Sequence, residues 1–168
     1  MLEFKTPQIE DKAWVDQCFK HLKTMNCDYT FGNMFVWNTE YSTKICRFKD
    51  FFICSWGMGK ETNFGIPVGK GDFKEAVEEV IKYAKSNDIM PRFYGVTEAY
   101  VEMLNENFPD AFQFLYDESY GDYIYEVEKM ASLKGKKYHG KRNHITNFKK
   151  NNPNWSFETI NKDNIDDC

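Results

Sequence analysis

No stretch of the 168 residues approaches the roughly 20 consecutive apolar side chains that a membrane-spanning helix needs. Met1 opens onto LEFKTPQIEDK rather than onto a basic stretch followed by an apolar one, so neither a transmembrane segment nor a secretory signal is expected. The five cysteines, Cys18, Cys27, Cys46, Cys54 and Cys168, are odd in number and contain no CxxC pair. That argues against a disulfide framework or a zinc knuckle and points to reduced thiols in a cytoplasmic protein. Histidine is scarce, at three residues, and no cysteine has a histidine neighbour to serve as its base. What the chain has in quantity is apolar and aromatic surface: 42% of its residues are hydrophobic, and Phe, Tyr and Trp number 15, 10 and 4. Such a chain can offset the entropy of ordering, which excludes wholesale disorder, and its length suits one domain with little room for a complete second.

The net charge of -4 conceals a segregation. Residues 129–150, KMASLKGKKYHGKRNHITNFKK, hold eight basic residues and no acid, whereas residues 1–128 carry 13 basic against 22 acidic and residues 151–168 carry one against four. A positive block of this kind focuses potential and attracts phosphates. It equally suits a solvated basic face that packs against the acidic remainder. Both readings stand at this level.

Trp14, Cys18, Leu22 and Met25 recur at helical spacing and predict an amphipathic helix within residues 10–25. FGNMFVWN reads as a short aromatic helical turn. TKICRF and FFICSW, separated by Lys49 and Asp50, read as a hairpin, and residues 62–68 as a third strand ending near Pro67. Residues 72–87 give the strongest helical period: Phe73, Ala76, Val77, Val80, Ile81 and Ala84 share a face, with Asp72 as cap and Glu75 three residues on. RFYGV predicts a strand, EAYVEMLNENF a helix, and FQFLYD and DYIYEVE two strands around the turn ESYG. Beyond them come a basic helix at about residues 136–150 and a strand at 155–160. This order predicts an α+β fold, a mixed sheet with helices on its faces.

Few motifs carry chemistry by themselves. GIPVGKGD sets Gly69 and Gly71 between a strand and a helix, where backbone amides suit a pyrophosphate, but Asp72 would compete for the same helix end and turn chemistry explains the glycines. His139 and His144 lie five residues apart, a rotation of ~500° that aims their rings ~140° from one another, so they are not expected to share a metal ion. His21 reads as a surface or boundary residue. The acids around ESYG read as hairpin solubility, and the strand aromatics as core rather than a stacking platform for bases.

At its basic end the sequence resembles a known family. Asp122, Tyr123, Ile124 and Tyr125, then Leu133, Gly135 and Lys136, then Tyr138, His139, Lys141, Arg142, Asn143, His144 and Phe148 resemble the signature of the DUF2156 family, related to the C-terminal catalytic domain of phosphatidylglycerol lysyltransferases. The resemblance implies two tandem acyltransferase units of the GNAT type. Residues 1–128 would form the first, and 129–168, a basic helix and strand, would begin a second, truncated one. The implied activity is transfer of an acyl or aminoacyl group from acyl-CoA or aminoacyl-tRNA by a soluble family member, inactive as this fragment. Lys137, Lys141, Arg142, Asn143 and His144 would hold phosphates of a tRNA or of an anionic phospholipid head group. No cofactor or metal is implied, and the catalytic residues are not identified. The implied partners are the missing second domain or a second copy associating through residues 129–168. Two readings of other classes remain: a non-catalytic module gripping RNA or an anionic surface, and a structural half-domain.

Overall fold

The four-residue spacing of Trp14 and Cys18 builds α1 (Lys12–Phe19), which buries Val15 and Cys18. Of the predicted face, Leu22 falls beyond the helix and Met25 outside the described residues; the computed structural model describes residues 2–22, 24, 26–118, 121 and 123–167. Thr30 accepts the Asn33 amide at 3.3 Å through its hydroxyl and so starts α2 (Phe31–Tyr41), a full helix where the sequence predicts only a turn. Two compact units are present, residues 1–115 and 116–168.

In the first unit the hairpin forms as β1 (Lys44–Phe48) and β2 (Phe51–Trp56), antiparallel, with Phe48 opposite Phe51. Lys49 makes the turn in the left-handed region at φ 52°. The third strand is broken in two. β3 (Asn63–Gly65) and β4 (Val68–Gly69) both pair antiparallel with β2, at Phe64 opposite Ser55 and Gly69 opposite Phe51. Between them Pro67, which has no amide to donate, interrupts the ladder, and pairing resumes at Val68 where the sequence predicts an end. α3 (Phe73–Ser86) follows, its first turn capped by Asp72 Oδ1 on the Glu75 amide at 3.0 Å. The chain then returns as β5 (Phe93–Tyr94), parallel to β3, and continues into α4 (Glu98–Asn107). The sheet is mixed, in the order β1-β2-β3-β5 with β4 on β2, and the fold is α+β.

Strand β2 lies at the centre and is buried from Phe51 to Ser55. Because successive side chains point to opposite faces, Phe51 and Ile53 meet Val77, Val80 and Ala84 of α3, while Phe52 and Cys54 meet Val15, Phe31 and Met34 of α1 and α2. Helices thus cover both faces of β2, which reads as a nearly continuous apolar run. Burial pushes the Cys54 thiol up to about 12 and raises Cys18 and Cys46 also. These three thiols pack as small hydrophobes and are poor nucleophiles at neutral pH.

Three predicted strands do not form. Residues 111–117 and 123–126 run without regular pairing, and α5 (Val127–Ser132) occupies the end of DYIYEVE. Part of the ESYG turn lies outside the described residues. Residues 155–160 also form no strand: Trp155, Phe157 and Ile160 are exposed. Alternating sequence makes a strand only where a neighbouring edge accepts its amides and carbonyls, and these segments form no such pairing among the described residues, although Phe112 rests against Phe93 of β5 at 6.0 Å.

The second unit contains α5, a 3-10 turn at Lys136–Tyr138 and α6 (His139–Asn151). Tyr138 is its one buried side chain among the described residues. Among the described residues no helix is long and apolar enough to cross a membrane.

Candidate anion-binding site

The basic segment is shaped by the turn that joins α5 to α6. Leu133 closes α5 in the left-handed region at φ 48°, its amide donating to the Lys129 carbonyl at 2.9 Å. Gly135 follows at φ 94°, a conformation that L side chains rarely adopt. The Tyr138 amide then donates to the Gly135 carbonyl at 3.3 Å and opens the 3-10 turn that leads into α6. Arg142, one turn into α6, reaches back: its Nη1 donates to the carbonyl oxygens of Leu133 and, at 2.8 Å, of Gly135. A guanidinium therefore satisfies two carbonyls at the end of a short helix, where cations are favoured.

The remaining residues that the sequence nominates are distributed around this frame. Lys137 lies on the 3-10 turn and is exposed. Lys141 places Nζ 5.2 Å from the centroid of the Tyr125 ring. Asn143 Nδ2 lies 3.2 Å from His139 Nε2, one helical turn away. His144 is exposed, and its five-residue offset separates it from His139 around the axis. Among the described residues no three His, Cys, Asp or Glu side chains converge as a metal-binding group.

Two features of this surface escape the sequence reading. Lys149 stands 5.1 Å from the centroid of Trp155, whose ring also meets Phe148 edge-on at 6.3 Å. Together with Lys141 over Tyr125, this gives α6 two lysines resting on aromatic faces. Nothing in the linear pattern foretells the pairing, since residues 155–160 read as a strand. The Arg142 clip depends in turn on the left-handed backbone at Leu133, for which only Gly135, two residues on, is a signal.

Chemically, α6 and its flanks present exposed cations with no acid among residues 129–150. Such a surface attracts phosphates from a distance and holds them through charge-assisted hydrogen bonds.

The comparisons with known proteins agree with that end of the sequence. A crystal structure of a conserved protein of unknown function from Bacteroides thetaiotaomicron VPI-5482 matches with a TM-score of 0.80 at 31% identity. The match covers 100% of this chain and 57% of that one, so the chain spans little more than half the length of its relative. No curated protein matches. The pattern described as phosphatidylglycerol lysyltransferase, C-terminal, matches residues 19–168, nearly the whole chain and all of the basic segment. The chain belongs to the family of the C-terminal domain of phosphatidylglycerol lysyltransferases.

Proposed function

We propose that this chain is the leading part of an acyl or aminoacyl transferase built from two tandem GNAT-like units. In this reading residues 1–128, that is the compact residues 1–115 with the segment that follows them, supply the first GNAT-like repeat, and residues 129–168 begin the second. The donor is an aminoacyl-tRNA or an acyl-CoA. The reaction is direct attack of an acceptor amine or hydroxyl on the donor's ester or thioester carbonyl. The new amide or ester bond forms as the donor's hydroxyl or thiol departs, and the attacking group loses its proton. No covalent enzyme intermediate is needed, so the protein's contribution is alignment and polarisation. The buried, raised thiols are in keeping with that scheme.

The observation that carries this reading is the acid-free basic segment, exposed at Lys137, Lys141 and His144 within the region that the family pattern matches. These residues and Asn143 hold phosphates of a tRNA acceptor end or an anionic lipid head group. Arg142 adds its charge while clipping the turn. Chemistry requires a second unit beyond the 57% of the relative that this chain spans. That unit covers the exposed Ile124, Val127, Phe157 and Ile160.

A transfer assay tests the proposal. Labelled lysyl-tRNA and labelled acetyl-CoA are each supplied with phosphatidylglycerol vesicles to a chain of the relative's full length and to residues 1–168. Transfer by the longer chain from either donor, with none by residues 1–168, is expected. No transfer from either donor by a folded longer chain overturns the catalytic reading. Binding of RNA or of anionic vesicles without transfer then favours the non-catalytic module. Concentration-dependent dimerisation of residues 1–168 would assign the apolar cover to a second copy.

A further inference from the structure

The first unit holds a cleft that the basic segment does not touch on in sequence. It measures about 280 Å³ and lies where the broken third strand ends and α3 begins, with Pro67, Gly69 and Gly71 along one side. Lys20 and His21, directly after α1, form its rim. Phe51, Phe73, Tyr100 and Met103 form its apolar walls.

Three observations point to a ligand. The first is topological: β3, β4, α3 and β5 make a crossover unit whose two parallel strands, β3 and β5, pair over only two residues each, Phe64 with Phe93 and Gly65 with Tyr94. Beyond those pairs β3 leads through β4 to α3 and β5 leads to α4, and Tyr100 and Met103 of α4 line the cleft with Gly69 of β4 and Phe73 of α3. No residue of β3 or β5 lines the cleft; its walls come from β2, β4, α3 and α4, so regular elements hold it. The second is chemical. The lining combines aromatic walls with two groups able to carry positive charge, and no acidic side chain lines it among the described residues. Lys20 Nζ donates to the neutral Gln17 Oε1 at 2.7 Å and forms no salt bridge among the described residues. The third is size: at about 280 Å³ the cleft is just below the roughly 300–1,000 Å³ of pockets for drug-sized molecules, which suits a smaller ligand.

We propose that this cleft binds a small carboxylate with an apolar body of about six to nine heavy atoms, the carboxylate at Lys20 and His21 and the body against Phe51, Phe73, Tyr100 and Met103. The site belongs to the first unit alone and does not depend on the transferase reading.

Benzoate and hexanoate are the probes, with benzamide and hexanamide as neutral partners of the same shape and inorganic phosphate as an anion without an apolar body. Residues 1–168 are titrated and followed by amide chemical shifts and calorimetry. The carboxylates are expected to bind with shifts centred on Leu22, Gly69 and Gly71, and the amides and phosphate at least about tenfold more weakly. Lys20→Gln should weaken carboxylate binding by about three- to tenfold, and Met103→Trp, which fills the cleft, should abolish it. Lys12→Gln serves as a control of equal charge change. If Met103→Trp fails to fold, the shift map of the unaltered chain decides. No saturable carboxylate binding up to about 10 mM, shifts centred elsewhere, or equal binding of acid and amide overturns the proposal.

Discussion

Arg142 donates through Nη1 to the carbonyl oxygen of Gly135 at 2.8 Å, tying the first turn of α6 to the loop that precedes it. The same nitrogen serves Leu133, so one guanidinium holds the two residues of the loop that take left-handed backbone. Charge and geometry are separable here, because lysine keeps the first and loses the fork. Arg142→Lys should lower amide protection across α6 and destabilise its turn by about 1–3 kcal/mol while leaving polyanion binding nearly unchanged at low salt. Hydrogen exchange and a binding titration on the same variant provide the check. Unchanged protection with lost binding would instead give Arg142 to a phosphate.

Two glycines should respond to alanine with opposite signs. A Cβ on Gly69 would meet the Asp50 carbonyl oxygen at 2.1 Å and Phe51 Cα at 2.8 Å, both rigid backbone atoms of the β1–β2 turn and its exit. Gly69→Ala must push β4 off β2 and should cost about 2 kcal/mol or more. At Gly140 a Cβ meets nothing within 4 Å, and the residue sits inside α6. Gly140→Ala should stabilise that helix by about 0.5–1 kcal/mol. Chemical unfolding of both variants, with helicity followed for the second, tests the pair.

What could be read from the sequence divides along a physical line. α3 was legible because its period, its cap at Asp72 and its charged outer face are all local, and the β1–β2 hairpin because two β-rich runs flank a two-residue turn. The family was legible because its signature residues fall within one short stretch, from Asp122 to Phe148. The failures depend on neighbours. FQFLYD, DYIYEVE and Trp155 to Ile160 have strand composition, yet a strand needs a paired edge, which composition does not supply. Of the site, the basic charge was legible, but the carbonyls that Arg142 engages and the rings beneath Lys141 and Lys149 follow from the path of the chain.

Asp11 illustrates another local arrangement that the sequence hides. The side chain is buried, and it accepts Lys5 Nζ at 2.6 Å, Trp14 Nε1 at 2.9 Å and the Gln8 amide at 2.9 Å. Burial by itself would raise its pKa; the hydrogen bonds from Lys5, Trp14 and Gln8 outweigh that and hold it below the ordinary 3.8. The unfolded carboxylate therefore takes up a proton at higher pH than the folded one. The stabilisation is fully present above the ordinary carboxylate range and is lost as pH falls through the folded value. Asp11→Asn should lower the urea midpoint at neutral pH by the equivalent of about 1–3 kcal/mol, and the gap from the unaltered protein should narrow below pH 3.8. A gap that does not change with pH would mean that packing, not charge, makes the contribution.

The basic segment makes the sharpest demand, because binding through phosphates has a thermodynamic signature that binding through bases or apolar contacts lacks. Each phosphate neutralised releases condensed counterions, so the logarithm of the affinity for single-stranded RNA should fall against the logarithm of salt with a slope of about -0.7 per contact. Residues 129–150 carry eight basic residues, but Arg142 is tied to two carbonyls, and Lys141 and Lys149 rest on aromatic rings. The ring contacts do not remove charge, so those lysines still count toward the slope when they engage phosphate. Lys137→Gln and Lys141→Gln should each reduce the slope by about 0.7 and weaken binding equally for unrelated sequences. Lys141→Glu with Lys137→Glu should abolish binding at moderate salt without lowering the midpoint of the first unit, whose core contains neither residue. Tight association that ignores salt, or that survives the double reversal, would remove the basic segment from the binding surface.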